Sequence, residues 1–130
     1  MKKENLIAET IRLVRAEKEH TLTILRHLRE IEQGKLYCEM ALPSLFKFCT
    51  DVLKYSEAEA SHRVNALRLM LLEPMVESWL AEGKLNLTNA SRVYSHIKTE
   101  RMNGVKLSPE QRKSLITMAL GKSTRELEEL

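Results

Sequence analysis

Turn-forming residues are scarce: the 130-residue chain holds four Gly and three Pro, and its aromatics amount to two Phe, three Tyr and one Trp. Folds of short strands need frequent Gly and Pro between segments, so this scarcity argues against them. Leu, Glu, Lys, Arg and Ala abound instead, and these are good helix formers. The expected fold class is all-α. The chain is one domain's worth of sequence and can bury a core without disulfide or metal staples. Its two cysteines, Cys38 and Cys49, form no Cys-x-x-Cys pair, and a reduced, cytoplasmic setting with inert thiols is the simplest reading. No apolar run approaches the roughly 18 residues of a membrane span, and Met1-Lys2-Lys3-Glu4-Asn5 is followed by no signal-type hydrophobic core. No glycine loop that cradles phosphate and no nucleophile in a catalytic context occurs. His20 and His27 stand seven apart, wider than a helical zinc pair. No metal, no cofactor and no enzymatic activity are therefore expected. A net charge of +3 and a pI near 8.9 permit a nucleic-acid partner without requiring one.

Nothing breaks a helix between Asn5 and Gln33, and apolar-stripe positions recur at Ile7, Ile11 and Val14, then at Thr21, Leu25 and Leu28, with Leu22, Ile24 and Ile31 widening the second half. Lys18 sits where that stripe wants an apolar residue. Such a helix would be about 43 Å long, against a diameter near 36 Å for a compact domain of this size. Either it kinks between Glu17 and His20 or its N-terminal half projects. Projection, with self-association through Ile7, Ile11 and Val14, is the expectation, because an apolar stripe without neighbours rarely stays exposed. Gly34 is expected to end the helix as a left-handed cap. The chain thus divides into a long helix with a possible dimerisation arm, 1–36, and a helical domain, 37–130.

The most informative stretch runs from Leu42 to Leu72. Pro43 is placed in a first helical turn, and Leu45, Phe46, Cys49, Val52 and Leu53 recur at helical spacing, giving a short helix that ends near Lys54. Ser56-Glu57-Ala58-Glu59 is a capping box that opens a second helix, with Ala60, Val64, Leu67 and Leu71 as its buried stripe. Short helix, tight turn and longer helix make a helix-turn-helix, which can set the second helix in a DNA major groove. Off that stripe lie Glu57, Ser61, His62, Asn65 and Arg68. Ser, Asn and Arg read base edges, whereas Glu57 and Glu59 repel phosphate unless they accept from a cytosine amine or serve the cap. Lys47, Lys54, Arg63, Lys84 and Arg92 supply positive charge in or beside the motif for phosphate contacts.

Further helices are expected from Met75 to Glu82 behind Pro74, with Trp79 as core, and from Asn86 or Thr88 with Ala90, Val93, Tyr94 and Ile97 buried. Ser108-Pro109-Glu110-Gln111 opens another, carrying Leu115, Ile116, Met118 and Ala119. Ser123-Thr124-Arg125-Glu126 begins a last helix that runs to Leu130 without a C-terminal cap and reads as truncated.

Several phrases resemble a known family. Leu25-Arg26-His27-Leu28-Arg29-Glu30-Ile31, Leu36-Tyr37, Ser44-Leu45-Phe46-Lys47-Phe48-Cys49, Tyr55-Ser56-Glu57, Ala60 with Arg63-Val64, Gly83-Lys84-Leu85-Asn86-Leu87-Thr88 and Lys122-Ser123-Thr124-Arg125-Glu126-Leu127 are similar to the N-terminal region upstream of the nuclease in bacterial HNH endonuclease-like proteins. The resemblance spans roughly residues 20 to 130. It implies a helical domain preceding a His-Asn-His nuclease whose residues are absent from this chain, so nuclease activity is not carried over. Gln33-Gly34-Lys35 and Leu42-Pro43 depart from the family pattern. A more distant similarity is to the DNA-binding domain of ParB-type partition proteins, through Ser56 to Leu72, Pro74 to Glu82 and Gly83 to Thr88. It implies that Ser61, His62 and Asn65 face DNA and that Ala60 is core. The combined expectation is a non-catalytic domain that binds double-stranded DNA as a homodimer through its first helix, with half-sites spaced by about 10 base pairs or a multiple. The rival is a helical protein-interaction or oligomerisation module.

Overall fold

The computed structural model describes residues 2–128, and among them every regular element is helical. In chain order these are α1 (Lys3–Gly34), a 3-10 turn (Leu36–Met40), α2 (Leu45–Asp51), α3 (Glu57–Leu72), α4 (Met75–Ala81), α5 (Leu87–Met102), α6 (Pro109–Ala119) and α7 (Thr124–Glu128). The expected end of the last helix at Leu130 lies outside the described residues.

Helix α1 runs unbroken through Glu17–His20 and is about 48 Å long at 1.5 Å per residue. Its C-terminal half belongs to the core, where Leu22, Leu25 and Leu28 are buried. Its N-terminal half leaves the body: Ile7 is 63% exposed, Ile11 48% and Val14 45%. Of the two outcomes that the length allowed, projection is the one found. The left-handed residue that closes α1 is Lys35 at φ 49°, not Gly34 as expected. Gly34 instead gives room to Leu36, whose Cδ2 would lie 3.3 Å from an added Cβ.

Helix α2 is shorter than its apolar pattern suggested. Ser44 caps it by accepting from the Lys47 backbone at 3.1 Å, which leaves Pro43 outside the helix. At the other end Val52 and Leu53 fall in the turn and are exposed, because backbone bonds to Phe48 and Cys49 close the chain there. The capping box at Ser56 forms in both directions, Ser56 to the Glu59 backbone and Glu59 to the Ser56 backbone.

Helix α3 is the centre of the molecule. Ala60, Val64 and Leu67 pack with Leu28, Tyr37, Leu45 and Cys49. Another face, with Ala66, Leu69 and Met70, packs with residues of α5 and α6 such as Val93, Ile97 and Ile116. A helix apolar on several sides is an interior helix. Leu71, expected in the buried stripe, is 39% exposed. The cluster on that side stops at Leu67, one turn short of it.

Helices α4 and α5 pack on α3, and α6 and α7 pack in turn on α5. Glu77 of α4 accepts from Arg26 at 3.0 Å and Arg29 at 2.7 Å, fastening α4 to α1. Trp79 packs against the core, half-buried. Asn86 rather than Thr88 caps α5, accepting from the Asn89 backbone at 2.7 Å. Ser108 forms the second capping box, with Pro109 in its first turn. In α6, Ile116 and Ala119 are buried, but Met118 is 51% exposed.

Candidate nucleic-acid interface

Helix α3 is most open to solvent at its start. Glu57, Ala58 and Glu59 are exposed, Ser61 and His62 are half-buried one turn on, and beyond them the helix is closed in on most sides. The open end is also where the first backbone N–H groups of the helix lie and where its dipole is positive.

The two carboxylates at this end have different duties. Glu59 is held by the Ser56 cap, and its hydrogen bonds to Ser56 lower its pKa below the usual carboxylate range. It is a structural group. Glu57 makes no such contact and stands as the carboxylate that an approaching nucleic acid would meet.

Ahead of this end, Lys47 is exposed in the first half of α2. Lys54 is exposed in the turn between α2 and α3, in the left-handed region at φ 64°. A left-handed Lys costs on the order of 1 kcal/mol, and here it turns the chain between the two helices. Next to it, Tyr55 lies under the Arg63 guanidinium, 4.4 Å from its ring centroid. Arg63 also donates from Nη1 to the Glu59 carbonyl at 3.1 Å. The Arg63 head is therefore used to hold the turn onto α3.

The other sequence-derived residues are drawn inward or elsewhere. Asn65 donates from Nδ2 to the Ser91 hydroxyl of α5 at 3.1 Å. Arg68 approaches Glu32 of α1 at 3.6 Å, with both side chains largely covered. Lys84 lies in the loop between α4 and α5, paired with Glu82 at 2.9 Å, and Arg92 pairs with Glu128 of α7 at 2.5 Å. The structure thus groups Lys47, Lys54, Glu57, Ser61 and His62 on the α2–turn–α3 unit. It engages Asn65 and Arg68 in packing, and it places Lys84 and Arg92 on other elements.

Two polar residues that hold this frame carry no sequence signal. Ser91 matters as the partner of Asn65 from 26 residues away. Asn89 is fully buried and donates from Nδ2 to the Lys122 carbonyl at 2.9 Å, fixing the approach to α7. Of the two thiols, Cys49 is buried and Cys38 exposed. Burial pushes the Cys49 thiol up from its ordinary pKa. Among the described residues no cluster of His, Cys, Asp or Glu suits a metal ion, and no helix is long and apolar enough to cross a membrane. No family model, curated protein or solved structure matches the chain.

Proposed function

We propose that the chain is a non-catalytic DNA-binding domain that reads duplex DNA with the first two turns of α3. One observation carries this reading: a short capped helix and a tight turn lead into a helix whose body is clamped and whose N-terminal end is open, beside two exposed lysines. Helix-turn-helix proteins present the N-terminal residues of the second helix to base edges in this way. Ser61 and His62 are the base-contacting candidates, and Glu57 would accept from a cytosine amine. Lys47 and Lys54 take phosphate contacts. Asn65 and Arg68 serve the reading indirectly, by fixing α3 against α5 and α1.

The test is a titration of the chain into labelled duplex DNA at two salt concentrations, with Lys47→Glu/Lys54→Glu beside the wild type. Affinity should fall with salt, and the slope should shrink by about one unit for each phosphate that a lysine no longer neutralises. Equal binding and an equal slope in the double variant would remove the two lysines from the interface.

A second reading, a helical protein-interaction or oligomerisation module, is favoured by the exposed Ile7, Ile11 and Val14 on the projecting half of α1. Under it the α2–turn–α3 unit is scaffold, and duplex DNA would not bind even at low salt.

A further inference from the structure

From Glu4 to Leu28, α1 carries a strict alternation of three- and four-residue steps through Ile7, Ile11, Val14, Lys18, Thr21 and Leu25. This is the spacing of a heptad seam, with apolar residues at five of its eight positions. Its C-terminal part, with Leu25 and Leu28, is covered by the chain's own body, whereas Ile7, Ile11 and Val14 on the same seam are bare. The exposed apolar face is therefore a continuation of a face that packs, and it stops being covered where the body ends.

We propose that a second copy of this chain covers it, the two arms lying antiparallel and centred near Glu9. In that register Ile7 of each copy packs on Ile11 of the other, and Val14 packs over the aliphatic part of Glu4. Lys3 flanks Glu17 of the second copy, and the pairing occurs twice by symmetry. Lys18, the residue out of place in the stripe, lies one step past the Val14–Glu4 contact and outside the apolar part of the pairing. A parallel pair would instead set Glu4 against Glu4 and Lys18 against Lys18 in the seam, and would bring two bodies to the same end of the arms. Charge complementarity thus selects both the occupant and its direction.

The geometry has a consequence for spacing. Counting 1.5 Å per residue from the centre, the two Thr21 residues lie about 36 Å apart. The two bodies thus begin on the order of one turn of duplex DNA apart, the scale of half-site spacing in dimeric helix-turn-helix proteins. The spacing rests on the DNA-binding reading; the pairing does not.

Single cysteines introduced into a Cys38→Ser background test the pairing. Thr10 faces its own counterpart in the antiparallel register, so Thr10→Cys should form a disulfide-linked dimer under mild oxidation and Lys18→Cys should not. Sedimentation equilibrium should show a dimer whose dissociation constant rises roughly 100-fold or more in Ile11→Glu, which buries an unpaired carboxylate in each copy. Because Ile11 lies outside the body, the melting temperature of the monomer should not move. A wild-type chain that stays monomeric overturns the proposal, and so does cross-linking by Lys18→Cys without Thr10→Cys. If Ile11→Glu is monomeric and still binds a half-site duplex, the DNA reading stands apart from the pairing.

Discussion

Asn65 of α3 donates its side-chain amide to the Ser91 hydroxyl of α5 across 3.1 Å, which joins the two helices by a polar contact beside their apolar one. A residue of the right type to read adenine is here occupied in holding the helix. Asn65→Ala should therefore lower stability by about 0.5–1.5 kcal/mol, the net worth of such a bond. Thermal unfolding followed by circular dichroism checks this. An unchanged melting temperature together with a large loss of DNA affinity would return Asn65 to the interface.

Asn89 has the larger expected effect on stability. It is fully buried, and it satisfies both the Asn86 cap, through its backbone, and the Lys122 carbonyl, through its side chain. Asn89→Ala strands the Lys122 carbonyl and should cost about 1–3 kcal/mol. Protease sensitivity should rise first near Lys122, because that bond ties the α6–α7 connection to α5. Denaturant titration and limited digestion measure the two effects.

The clamp between α1 and α4 sets an acid response. Hydrogen bonding from Arg29, then from Arg26, holds the Glu77 carboxylate below its ordinary pKa despite partial burial. A carboxylate with a depressed folded pKa contributes stability that is present above its unfolded value. That stability is lost as pH falls through the folded value. The clamp should therefore be intact near neutrality and weaken as pH drops below about 4. Glu77→Gln should be less stable than wild type at pH 7 and should show a smaller loss between pH 5 and pH 3, both roughly spanning the carboxylate range. Identical acid profiles for the two proteins would show that the clamp contributes nothing.

The two thiols should separate by reactivity. Cys38 is exposed on the 3-10 turn, whereas Cys49 is fully buried with its pKa raised by burial. A thiol reagent should label one cysteine per folded chain and both after denaturation. Mass mapping that finds Cys49 modified in the folded protein would contradict its place in the core.

Local signals in the sequence were strong where one short segment decides the outcome. The capping boxes at Ser56 and Ser108 located two helix starts because both partners lie three residues apart. Length left two outcomes for the first helix, a kink between Glu17 and His20 or an exposed arm, and the unbroken helix with Ile7, Ile11 and Val14 exposed is the second. What depends on distant neighbours was not legible. Val52 and Leu53 continue the apolar period of α2, yet the turn bonds to Phe48 and Cys49 end the helix first. Leu71 continues the stripe of α3, but the cluster packed against Leu67 goes no further. Within the candidate interface, Ser61 and His62 kept a half-open position, whereas α5 and α1 engaged Asn65 and Arg68. Helical spacing gives a side chain's direction but not what another helix will bring to it.

The most direct test of DNA reading by α3 is fluorescence anisotropy of a labelled duplex titrated with wild type, Ser61→Ala/His62→Ala and Asn65→Ala, with circular dichroism confirming the fold of each. Wild type should bind at low salt and weaken as salt rises. The Ser61→Ala/His62→Ala variant should lose roughly 10-fold or more of affinity while keeping its melting temperature. Asn65→Ala should keep most of its affinity and lose stability. Absence of binding at low salt, or undiminished binding by the Ser61→Ala/His62→Ala variant, would contradict the account and turn the α2–turn–α3 unit into scaffold.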